Sequence, residues 1–376
     1  MGTAIVSLKT YPEIFIINGK NSSWVATIIA SLIIFLYYIY IINISKKIGK
    51  HSLWEVYEYA LGKHLGKLFQ LTFCFGLFFS LLESCSVDAN AMNTNLLQNT
   101  PPWFFVITFV LSATYVLLKG ERSVILMTLV GITLIFMAGI NLGVLTAKYK
   151  NYKYLLPIFP NGLNKGFFIC IIEVLGLYGC VAIAYPYFQC IKDKKSALKG
   201  ATIGLIIVIQ MIIVSVTGVI ATFGINRSVT LAYPKLIQTQ LVSYSGFLES
   251  GEFFVMLQML AGWFVKYTLS FQALLYLLKH FRIENKKQRI IIVVLNIIVM
   301  IICLFMAKNT YRLLHILKLY PYIYLVSFVI IPFIIFTIAL IKNKVKGNIN
   351  KSKGLIKFNI GKSTIIFKLL IILFMV

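Results

Sequence analysis

The sequence predicts an all-α polytopic membrane protein with about ten transmembrane helices, and three observations carry that prediction. Of its 376 residues, 59% are hydrophobic and only 12% are charged, against roughly 45–50% and 25% in soluble domains. Apolar runs of about 20 residues, enough to cross a bilayer core, recur along nearly the whole chain. The Lys and Arg residues behind the formal net charge of +25 lie almost entirely between those runs. The positive-inside bias and anionic headgroups account for them there. No basic face long enough to follow a phosphate backbone is present, which argues against nucleic acid as a partner and for membrane lipids.

The first segment, Gly2–Ile17, is broken by Lys9 and Pro12. It is short for a spanning helix and reads as the second half of one, so the first helix is expected to be truncated. Trp24–Ile44 is a full span closed by Lys46, Lys47 and Lys50. The next link places Leu53, Trp54, Tyr57 and Leu61 at helical spacing, the pattern of a helix lying along the membrane surface. Leu68–Leu97 has an apolar first half and a second half bearing Glu83, Ser84, Ser86, Asp88, Asn90 and Asn93. That second half either lines the bundle interior or emerges into water near Pro101. Trp103–Leu118 and Val124–Leu145 cross back around a tight basic turn.

The loop containing Pro157 and Pro160 separates five segments from five more. The second group comprises Phe167–Phe188, Gly200–Phe223, Phe253–Leu278, Ile290–Met306 and Tyr320–Ile341, with a short helix expected inside Thr230–Val242. Loops after the even-numbered segments hold the larger share of Lys and Arg, which places both termini in the cytoplasm. Residues 1–345 form the transmembrane permease-like domain. Residues 346–376 form a basic tail whose short apolar end suits an interfacial anchor.

Two spans carry charge where lipid forbids it. Glu173 stands inside Phe167–Phe188, with Gly176, Gly179 and Pro186 interrupting the helix beyond it. A carboxylate at that depth costs at least ~2.5–3.5 kcal/mol on insertion scales, so it needs a partner, a cavity or a pathway. Glu173, Gly176 and Cys180 share a face, which suits either a close helix-packing seam or a ligand site. Lys266 sits at the centre of Phe253–Leu278 and must pair with an acid or lose its charge. Glu173 and Glu83 are the available acids. The pair is either a structural register device or a lysine standing in for a coupling cation. Tyr267 and Thr268 beside it could complete a polar pocket, as could Ser84.

The first segment of each group of five is the one broken by Gly and Pro. Such matched breaks point to a 5+5 inverted-repeat transporter fold, with the site where the helices unwind. A small zwitterion would place its carboxylate on free amides and its ammonium on carbonyls or an acid. Gly2, Thr3, Gly176 and Gly179 are the candidate backbone positions, and Glu173 the candidate partner of an ammonium or a proton. The six cysteines and four histidines show no metal-ligand spacing, and no catalytic constellation is present. The chain does not read as an enzyme.

Ala232–Leu278 holds Tyr233-Pro234, Phe247-Leu248-Glu249 with Glu252, and Phe264-Val265-Lys266 in order. Together with the opening Gly2–Glu13 and the loop Leu155–Gly162, these resemble the spore germination permease family. That family is the B subunit of germinant receptors, within the amino acid–polyamine–organocation transporter superfamily. Ser250 departs from the family, which carries Arg there. The resemblance implies a ten-helix broken-helix fold in the inner membrane of a spore and sensing of a small germinant such as an amino acid. It further implies assembly with an A subunit and a lipoprotein C subunit, and no cofactor. A proton-coupled amino-acid permease using Glu173, and a scaffold for the partner subunits, are the rival readings.

Overall fold

Prolines and capping residues set where the helices begin, break and stop. A computed structural model of the chain describes residues 3–50, 52–159, 162–190, 194–242, 252–279 and 285–352. Gly2, the Phe247-Leu248-Glu249 phrase, Ser250 and the tail beyond Ser352 lie outside the described residues. The first segment is two short helices, α1 (Thr3–Thr10) and α2 (Glu13–Gly19), which part at Tyr11 and Pro12. Proline removes an amide donor and crowds the preceding turn, so the chain bends there. A 3₁₀ turn, Lys20–Ser22, joins α2 to α3 (Ser23–Ile48). Gly49 ends α3 in the left-handed region (φ 72°), and its amide N–H bonds back to Ser45 and Lys46.

The chain continues through α4 (Leu53–Leu61), α5 (Lys63–Ala91), α6 (Pro102–Lys119), α7 (Glu121–Leu145) and α8 (Lys165–Tyr178). Next come α9 (Lys194–Ser228), α10 (Pro234–Gln240), α11 (Glu252–Lys279) and α12 (Asn285–Met306). The last three are α13 (Thr310–Leu317), α14 (Tyr320–Tyr324) and α15 (Ile331–Ser352). Asn164 and Asn309 cap α8 and α13, their side-chain oxygens accepting from the amides of Phe167 and Arg312 at 3.0 and 3.1 Å. Pro102 and Pro234 occupy first-turn positions, where no amide partner is lost.

All regular structure among the described residues is helical. Nine helices or joined helix runs among them are long and apolar enough to cross a membrane, the first being Glu13–Ile48. The expected first segment is a leg of its own, broken between α1 and α2: the chain turns back at Lys20 (φ 47°), so Tyr11 and Asn18 meet Cys180 and Glu173 while Ser31 and Tyr38 of α3 meet Tyr178 and Tyr185 in the opposite sense. The expected helix in Thr230–Val242 is α10. Link helix α4 does not rest on the membrane surface alone. It buries Leu53, Val56, Tyr57 and Ala60, and packs on α5 and α15.

Lipid-facing positions such as Leu126 and Phe305 leave their side chains exposed, and the polar residues turn inward. At the centre, α11 packs against α5, α7 and α1. Every residue from Leu81 to Ala91 on α5 is buried, so Glu83, Ser84, Ser86, Asp88 and Asn90 line the interior, and only Asn93, just beyond α5, is half-buried towards the end near Pro101. After Tyr178, α8 tightens into a 3₁₀ helix, Gly179–Cys190, with Pro186 inside it. α8 itself packs on α2, α3 and α14. Gly176 makes the last contact possible, because a Cβ there would overlap the carbonyl oxygen of Pro321.

Gly176→Val should therefore destabilise the bundle by at least about 1–3 kcal/mol through overpacking against fixed backbone. Gly143→Ala, where a Cβ meets nothing within 4 Å, should leave the melting temperature of the detergent-solubilised protein unchanged or raise it. Equal melting of the two variants would refute the close α8–α14 approach.

Candidate functional site

Among the described residues, the interior holds one ion pair with no exposed side-chain surface. The Lys266 ammonium on α11 donates to Oε2 of Glu83 on α5 at 2.5 Å. The same ammonium donates to Ser7 Oγ on α1 at 2.6 Å. Two tyrosines complete the carboxylate's shell. Tyr324, at the end of α14, donates to Oε2 at 2.5 Å, and Tyr11, in the bend after α1, donates to Oε1. The rings enclose the cation as well: Nζ lies 5.2 Å from the Trp263 ring centroid and 5.4 Å from that of Tyr324. Tyr11 stacks on Trp263, with centroids 6.3 Å apart and planes at 13°.

This cluster joins elements distant in sequence. Helices α1, α5, α11 and α14 each give a side chain to one polar knot, and the 3₁₀ stretch brings Cys180 against it. Buried charges survive in hydrocarbon only when paired and fully hydrogen-bonded. Here both oxygens of Glu83 are used, and Lys266 has an acid, a hydroxyl and two aromatic faces.

The sequence-derived candidates divide around it. Lys266 is the centre, and its partner is Glu83, not Glu173. Ser84 is buried but donates to the Ser80 carbonyl of its own helix, and Thr268 likewise donates to Phe264 at 2.9 Å. Tyr267 points to α12, where its hydroxyl donates to Asn296 Oδ1 at 2.5 Å. Gly176 and Gly179 face Pro321, Tyr324 and Val329, so they serve close packing beside the knot. Thr3 begins α1.

Glu173 belongs to a second, separate cluster. Asn18 Nδ2 donates to both of its oxygens at 2.8 and 3.0 Å, and the Tyr322 hydroxyl donates at 3.2 Å. Its direct partners are thus neutral. Ser7, Tyr11, Asn18, Tyr322 and Tyr324 are not legible as site residues in the sequence. Proline beside Tyr11 and beside Tyr322 marks broken helix as a place for polar contacts, but a tyrosine in an apolar run looks the same whether its hydroxyl is used or idle. Among the described residues no group of His, Cys, Asp and Glu is arranged to hold a metal ion.

The family model described as spore germination protein matches residues 2–312. Over 350 residues the chain is 25% identical to spore germination protein A2 of Bacillus subtilis (strain 168), covering 90% of this chain and 92% of that protein. Among solved structures, a mutant of the manganese transporter of Eremococcus coleocola matches with a TM-score of 0.61. That match covers 98% of this chain and 90% of the transporter at 15% identity, so the likeness is one of fold.

Removing one member of the buried pair should cost about 3–5 kcal/mol, because the other charge is left without compensation. Lys266→Met should lower the melting temperature markedly, and Lys266→Met with Glu83→Gln should recover part of the loss. A double-mutant cycle on thermal unfolding measures the coupling. Additive losses would refute the pairing.

Proposed function

Because the chain belongs to the spore germination protein family, we propose that it is the membrane subunit of a spore germinant receptor. It senses a small germinant, an amino acid, in a transporter-like bundle within the spore inner membrane. An A subunit and a lipoprotein C subunit take up the signal. The observation that carries this reading is the closed knot around Lys266 and Glu83. A zwitterion has the one chemistry that can open such a pair without stranding either charge. Its carboxylate replaces Glu83 on Lys266, and its ammonium replaces Lys266 on Glu83, so one internal pair becomes two ligand pairs.

That exchange frees Ser7 and Tyr11 of the first segment from the third, eighth and tenth segments. A ligand can move the bundle only by its difference in affinity for the two arrangements, and the knot supplies such a difference. The junction from Gly176 to Gly179 adjoins the same place and can add backbone groups to the pocket. The rival reading, a proton-coupled amino-acid permease, draws support from Glu173, whose neutral direct partners leave it free to exchange a proton.

The test uses spores lacking the native subunit and carrying this chain. Tyr11→Phe keeps the ring stack but removes a hydrogen bond of the closed form. It should lower the germinant concentration for half-response by about fivefold, the equivalent of roughly 1 kcal/mol. Glu83→Gln should abolish the response at equal subunit abundance. Wild-type dose–response curves in both variants would overturn the proposal. Proton-driven uptake of labelled amino acid by proteoliposomes would favour the permease instead.

A further inference from the structure

A second concentration of charge lies away from the knot, and among the described residues it contains only cations. Lys9 is on the last turn of α1, Lys235 on the first turn of α10, and Lys150 in the link after α7. The polar frame between the last two is well defined. Asn151 donates its amide to the Ala221 carbonyl at 2.7 Å, fastening the link to α9. Gln238 spans α9 and α10: its Nε2 donates to the Gly218 carbonyl at 3.1 Å and to Thr222 Oγ1 at 2.6 Å. Its Oε1 accepts from the Lys235 ammonium at 2.7 Å. The Lys150 ammonium reaches the same spot, since a Cβ on Gly218 would lie 3.9 Å from both Lys150 Nζ and Gln238 Nε2.

Beside Lys235 is a partly open cavity of about 40 Å³, several times the ~10–15 Å³ that a single water needs. Lys9, Thr10, Lys235 and Gln258 give it polar walls, and Val6 and Met259 close it. Among the described residues, Lys9 and Lys150 have no hydrogen-bond or ion-pair partner, and no carboxylate faces the three ammonium groups. Burial first, and then the nearby Lys9 and Lys150 charges, push the Lys235 ammonium down to about 7. The Gln238 bond accounts for the place of Lys235, but nothing among the described residues accounts for Lys9 and Lys150 lying beside it. An anion does explain it.

We propose that Lys9 and Lys235, with the Lys150 charge close by, form a binding site for a small soluble anion, a carboxylate or an inorganic oxyanion, in the cavity between α1, α7, α10 and α11. The site goes beyond the receptor reading and does not depend on it. It lies on the side that the charge bias assigns to the exterior, and it touches the first segment one turn before the Tyr11 bend. Anion binding there would fix the position of α1. A headgroup phosphate is a poorer occupant, because the cavity is lined by four helices and its volume leaves no room for a glycerol backbone.

The full chain in phosphatidylcholine nanodiscs tests this by thermal unfolding against potassium acetate and against inorganic phosphate. Ionic strength is held with gluconate, which is too bulky for the cavity. Wild type should show saturable stabilisation by acetate, phosphate or both. Lys9→Gln with Lys235→Gln should weaken the apparent affinity by about tenfold or more, and Lys235→Arg should keep it within about threefold. In gluconate alone the double variant should melt within about 2 °C of wild type, because the repulsion it loses offsets the one hydrogen bond it loses, Lys235 to Gln238. Lack of saturable stabilisation of wild type, or equal stabilisation of the double variant, would overturn the site. So would an effect seen only when phosphatidylglycerol replaces part of the disc lipid.

Discussion

A lysine and a glutamate 2.5 Å apart, both without exposed side-chain surface, constrain everything packed around them. Neither can reach water, so every neighbour must either solvate them or keep away. Ser7, Tyr11, Tyr324 and Trp263 solvate them. The positions of these four dictate how α1 lies against α11, how sharply the chain turns at Pro12, and how close α14 comes to α5. Aliphatic contacts between helices tolerate sliding, because lipid tails and leucines are alike in polarity. An ion pair does not.

Many other polar side chains in the spans are neutralised locally. Thr27, Ser84, Thr114, Thr128 and Thr268 donate to carbonyls one turn back in their own helices, which satisfies the hydroxyl without specifying a neighbour. A few bonds do cross between helices: Ser80 with Ser270, Ser31 with Tyr178, Tyr267 with Asn296, and Tyr233 with Asn90. With the central knot these pins fix rotation and depth, and aromatic packing such as Phe73 on Phe328 fills the spaces between them.

The spanning helices were legible because their signal is collective: some twenty apolar residues outweigh any single exception. Lys266 was legible for the opposite reason, as one residue whose cost in lipid is too high to be accidental. Its partner was not. Choosing between Glu83 and Glu173 needs the relative rotation and depth of three helices, and those arise from contacts such as Gly176 on Pro321 that leave no mark in one sequence. The breaks in the first and sixth segments were visible as Pro12 and as Gly176 and Gly179. The backbone form beyond each break was hidden, since glycine and proline show where an α-helix yields and not what replaces it. Tyr11 and Tyr324 were hidden because a tyrosine serves equally as packing and as a donor.

The replacement after Gly179 is a 3₁₀ helix of twelve residues, and it bears on length. A 3₁₀ helix rises about 2.0 Å per residue and an α-helix about 1.5 Å. Gly179–Cys190 thus reaches roughly 6 Å farther than the same residues would as α-helix. The stretch begins beside the buried pair and ends at the membrane edge, before the link to α9. Rewinding even part of it would draw that edge inward by a measurable distance. The sixth crossing is in effect a ruler with two scales, one end of it set beside the buried ion pair.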